Sequence, residues 1–110
     1  MFSILTKRLR LLPLSLAHLE LLQNSRFELE KALNLVNSNM KIDESVLETL
    51  DKTIEFWIEK VIADPINYQW HTSWEIIHQK ENRSIGMMGL SGIPNENGET
   101  VIGYSIDLRY

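Results

Sequence analysis

The chain has no cysteine, only five glycines and three prolines in 110 residues, and no excess of positive charge. Without cysteine there is no disulfide framework, no thiolate nucleophile and no cysteine-ligated metal. That composition suits a reducing compartment, so a cytoplasmic location is the expectation. Eleven basic residues stand against fifteen acidic ones, a net charge of -4, whereas binding nucleic acid calls for a basic face that releases phosphate counterions. The one basic cluster, Lys7, Arg8 and Arg10, is too small to reverse that balance. Long apolar runs are missing too: the stretch from Leu11 to Ala17 is interrupted by His18 and Glu20, far short of the roughly 20 residues a membrane-spanning helix needs. Neither nucleic acid nor a membrane is an expected partner.

What is present is a globular balance, 44% hydrophobic and 24% charged, enough for one core in a single domain over residues 1–110. Residues 6–12 alternate in part, Leu9 and Leu11 against Arg8 and Arg10, and read as a strand closed by Pro13. Then the period lengthens. Ser15 is a candidate N-cap, and Leu16, Leu19, Leu22, Leu29, Leu33 and Val36 fall near helical spacing with a break around Asn24 and Ser25, predicting one or two short helices. The clearest element covers residues 44–63, where Val46, Leu50, Ile54, Trp57, Ile58 and Val61 form one apolar stripe. Either Asp43 or a Ser45–Glu48 capping box starts it, and Asp64 with Pro65 stops it.

From Trp70 to Gln79 the pattern alternates, which predicts a strand with Trp70 and Trp74 on one face. A second strand is expected from about Ser84 to Ile93 and, after the turn-rich segment Pro94–Glu99, a third from Thr100 to Leu108. Strand, helices, then three antiparallel strands define an α+β fold with a mixed or antiparallel sheet and helices packed on it. The last strand is apolar on both faces, through Val101, Ile102, Tyr104, Ile106 and Leu108, the pattern of a central strand, yet nothing follows to make it central. Such an open edge invites self-association, so a homo-oligomer through that strand is expected.

Few side chains carry chemistry. Glu75 is the one carboxylate in a Trp-rich strand, a base for a substrate ammonium if it is buried and an ordinary exposed strand glutamate otherwise. Trp70 and Trp74 are candidates to line a groove for an amine, while Trp57 belongs to the helix stripe and to the core. His71 and His78 point to opposite faces of a regular strand, and His18 has no partner nearby in sequence, so no metal site is expected. Gly86, Gly89 and Gly92 do not match a phosphate-cradling loop and mark bulges or close backbone approach. No serine sits in a Gly-x-Ser-x-Gly context, which disfavours a hydrolase.

Three segments, TKRLRLLPLSLAHLELL at 6–22, SIGMMGLSGI at 84–93 and VIGYSIDLRY at 101–110, together resemble the opening strand and helix and the third and fourth strands of the GNAT superfamily of N-acetyltransferases. Within it, the chain is most similar to the type acting on ribosomal-protein N-termini and related amines. The resemblance implies acetyl-CoA as donor and a small-molecule or peptide amine as acceptor. It further implies that the backbone of Tyr104, Ser105, Ile106 and Asp107 grips the pantetheine arm and polarises the thioester. Members often have a glutamate before the Ile-Gly-Tyr segment, where Val101 stands here, and a tryptophan after the tyrosine, where Ser105 stands. The family continues with a glycine-rich loop that opens a helix and binds the pyrophosphate. Since this sequence ends at Tyr110, the expectation is the N-terminal half of a GNAT fold, inactive as this chain alone. The alternative is a non-catalytic remnant that binds itself or a partner.

Overall fold

The computed structural model describes residues 2–110. Its elements are β1 (Ile4–Leu5), β2 (Leu9–Pro13), α1 (Leu16–Asn24), α2 (Arg26–Ala32), α3 (Glu44–Ala63), a 3-10 segment (Pro65–Trp70), β3 (Ser73–His78), β4 (Arg83–Leu90) and β5 (Ile102–Ile106). The five strands form one antiparallel sheet in chain order, with the helices inserted between β2 and β3. This is an α+β architecture. No helix among the described residues is long and apolar enough to cross a membrane.

Local chemistry sets the helix boundaries. Ser15 caps α1 by accepting from the His18 amide, while the His18 ring accepts from the Ser15 amide, a reciprocal box with histidine in the place of the usual glutamate. Ser25 ends α1 and caps α2 in one extended residue, which explains the break in spacing around Asn24. Asp43, rather than a Ser45–Glu48 box, caps α3, its carboxylate accepting from the Ser45 amide and hydroxyl.

Packing follows the apolar stripes. Leu14, Leu19, Leu22, Leu29, Ile54 and Val61 form the buried cluster, with Leu50, Trp57 and Ile58 of α3 against it. Register aligns Leu12, Glu75, Met87 and Ser105 across β2 to β5. The helices lie over that face: Arg26 of α2 reaches Glu75, and Trp57 of α3 stands beside Gly89. The opposite face carries Pro13, Trp74, Met88 and Tyr104 in line.

Three expectations are corrected. The strand expected from Trp70 begins at Ser73, because Pro65 with its fixed φ starts a 3-10 segment that runs through Trp70. Trp70 and Trp74 therefore share no strand face, and His71 lies in a turn. The second strand stops at Leu90, since Gly92 has φ +113°, incompatible with an extended ladder. The third shrinks to Ile102–Ile106, because Asp107 bonds back to the Arg109 amide and turns the chain. A short strand was also unforeseen: Thr6 closes a hairpin with Leu9 that lays β1 against β2.

Candidate functional site

β5 is last in the sheet order and is bonded to β4 on one side only. The Asp107 amide donates to Ile85 O at 2.7 Å and the Ser91 amide to Val101 O at 2.9 Å. Antiparallel ladders alternate bonded and non-bonded pairs. Val101, Gly103, Ser105 and Asp107 therefore aim their backbone groups at β4, while Ile102, Tyr104 and Ile106 aim theirs outward. Of the four expected pantetheine contacts, Tyr104 and Ile106 thus have free main-chain groups at the edge, and Ser105 offers its side chain to the helical face.

Asp107 is occupied otherwise. Its side chain is fully buried and accepts from Arg109 Nη2 at 2.7 Å and Nε at 3.1 Å. The Arg109 guanidinium holds the Asp107 carboxyl well below the ordinary range. Arg109 Nη2 also donates to Ser38 O at 2.6 Å, and the Leu108 amide donates to Lys41 O at 2.7 Å. The residues after β5 thereby clasp the segment between α2 and α3.

On the helical face, a groove of about 390 Å³ opens between α3 and the β4–β5 pair, walled by Val46, Leu50 and Trp57 and floored by Met87, Gly103 and Ser105. No charged side chain lines it. Gly89 keeps the floor low: a Cβ there would stand 3.8 Å from Trp57 Nε1. Trp70 and Trp74 line a different cavity, about 470 Å³, on the opposite face with Phe2, Ile66, Met88 and Leu90. There the Trp74 ring meets Phe2 edge-on at 5.9 Å, and its indole N–H is spent on Gln69 O at 2.8 Å.

Glu75 is fully buried beneath the helices, which corrects the picture of an exposed strand glutamate. Arg26 clamps both its oxygens, Nη1 to Oε1 at 2.6 Å and Nη2 to Oε2 at 3.2 Å, and the Ser84 hydroxyl adds a third bond at 3.1 Å. The same guanidinium reaches Glu30 at 3.2 Å, whose carboxylate also takes the Ser38 amide and hydroxyl. Burial alone lowers the Arg26 pKa, but Glu75 and then Glu30 outweigh it and hold it above the usual guanidinium value. Sequence reasoning missed Arg26. Its spacing of four from Glu30 was a visible signal, but its pairing with Glu75 was not.

The histidines are dispersed. His18 serves the α1 cap, His71 Nε2 lies 3.0 Å from Asp64 Oδ2, and His78 Nδ1 lies 3.5 Å from Glu81. Among the described residues no group of three or more His, Asp or Glu is arranged to hold a metal.

Neither a family model nor any curated protein or solved structure matches the chain. The uncharged groove beside the free amides of Tyr104 and Ile106 fits the amide-rich pantetheine arm. The pyrophosphate finds no counterpart there, since the one helix that adjoins the groove begins with Asp43 and Glu44.

Proposed function

We propose that residues 2–110 are the part of a GNAT-type N-acetyltransferase, working in the cytoplasm, that receives the acetyl-pantetheine arm and an acceptor amine. The observation that carries this reading is the adjacency of two features: the outward backbone groups of Tyr104 and Ile106, and the uncharged groove under Trp57. Bound acetyl-CoA supplies an activated thioester. The edge N–H groups pair with the arm's amides and polarise the thioester carbonyl, a fixed donor aimed where negative charge develops. The groove holds the arm so that its thioester is presented to the amine. These residues hold the arm and not the pyrophosphate, so turnover by them alone is negligible.

Calorimetry on chain dilute enough to be monomeric by light scattering separates the outcomes. Acetyl-CoA and acetyl-pantetheine are expected to bind with equal, weak affinity, within about threefold of each other. Failure of both to bind defeats the reading. Acetyl-CoA binding a hundredfold tighter also defeats it, because the residues then contain a phosphate site that this account denies.

A second reading, a module that associates through β5, is favoured by one observation. Tyr104 is 73% and Ile102 54% exposed on an edge with unpaired backbone, which is a template for strand pairing.

A further inference from the structure

We propose that β5 pairs with β5 of a second copy, antiparallel about a two-fold axis at Tyr104, and that this pairing closes the edge to an acetyl-pantetheine arm. The inference rests on the association reading and adds the partner, the register and the consequence. The outward groups of β5 belong to Ile102, Tyr104 and Ile106, which are evenly spaced about Tyr104. Chemically the strand reads alike in both directions: apolar Ile102, small Gly103, aromatic Tyr104, small Ser105, apolar Ile106. Under the two-fold, Ile102 meets the partner's Ile106, Gly103 meets the partner's Ser105, and Tyr104 meets its own image. An axis moved by one residue in either direction leaves an outward-facing residue of the strand without a strand partner.

The pairing is confined to Ile102–Ile106, because beyond it the outward Leu108 amide already donates to Lys41 O and Arg109 is bonded to Asp107. No charged residue lies within β5, so the antiparallel pairing sets no like charges opposite each other. On the helical face α3 stands back from the edge, and a Cβ added at Gly103 has no atom within 4 Å, which leaves room for the second copy. The hydrogen bonds formed this way use the same Tyr104 and Ile106 groups assigned to the arm, so self-pairing and donor binding exclude each other.

Because the chain has no cysteine, single introduced thiols report the register cleanly. Facing Cα atoms of a bonded antiparallel pair lie about 5.5 Å apart, within disulfide reach. Two copies of position 102 lie about 13 Å apart along the strands. Light scattering on the full chain is expected to give twice the mass of one chain, and oxidation to cross-link Tyr104→Cys at least tenfold faster than Ile102→Cys. Tyr104→Lys, with its native far-UV circular dichroism as the folding control, is expected to weaken the dimer at least tenfold. A dimer that cross-links equally at both positions, or a folded Tyr104→Lys that still dimerises fully, overturns the pairing and leaves the association reading standing. A monomer at every concentration overturns both.

Discussion

Arg26 and Glu75, 49 residues apart, meet in a two-pronged ion pair under the sheet, at 2.6 and 3.2 Å. One guanidinium holds two carboxylates that are all but sealed from solvent, Glu75 at 0% and Glu30 at 1% exposure. A lone buried carboxylate is far costlier than a paired one. Arg26→Met, which keeps an unbranched apolar stem and removes the charge, is expected to cost about 3–5 kcal/mol. Urea unfolding at neutral pH measures it, and a loss below about 1 kcal/mol contradicts the pairing.

Two glycines predict opposite outcomes. A Cβ at Gly86 meets the Ser105 carbonyl and comes within 2.9 Å of Ile106 Cδ1, whereas Gly103 has open space. Gly86→Ala is expected to push β5 off β4 and cost about 1–3 kcal/mol, with faster amide exchange along β5. Gly103→Ala is expected to change stability by less than about 0.5 kcal/mol. Thermal melts of the two variants side by side check the contrast.

The His18 ring nitrogen that accepts the Ser15 amide must be unprotonated, and burial lowers the His18 pKa below its ordinary 6.5. A group whose folded pKa is depressed contributes stability above its unfolded pKa and loses it as pH falls through the folded one. Stability is therefore expected to decline as pH drops below about 6.5. His18→Gln keeps an acceptor at the third helical position and should flatten that slope, as read by unfolding midpoints between pH 7 and pH 5.

Asp107 acts in the same direction at lower pH. Its carboxyl sits below the ordinary 3.8 chiefly through the Arg109 hydrogen bonds, so its stabilisation is complete above about 4 and fades in stronger acid. Asp107→Asn is expected to lower stability at pH 7 and to reduce the dependence below pH 4, leaving the share of Asp43 and Asp64, whose carboxyls are also depressed. It should also loosen the clasp on Ser38 and Asn39, measured as faster exchange at Leu108, whose amide is bonded to Lys41.

Much of the fold was legible because its signals are local. The stripe from Val46 to Val61 and the Asp64–Pro65 stop locate α3 at residues 44–63 as observed, and Ser15 and Asn24–Ser25 mark the ends of α1. Alternation through Trp70 misled, because a proline-initiated 3-10 segment places aromatic residues at intervals that imitate a strand. The site was less legible. Tyr104 and Ile106 were singled out, but which of the β5 residues face outward depends on register with β4. The buried state of Glu75 depends on an arginine from α2 that no local pattern links to it.

Amide hydrogen exchange across β5, on chain diluted until it is monomeric, tests the account most directly. In the free chain the Tyr104 and Ile106 amides should exchange fast and those of Ser105 and Asp107 slowly. Adding acetyl-CoA should slow Tyr104 and Ile106 selectively. Uniform protection along β5 without ligand, or no change at Tyr104 and Ile106 with millimolar acetyl-CoA, would contradict it.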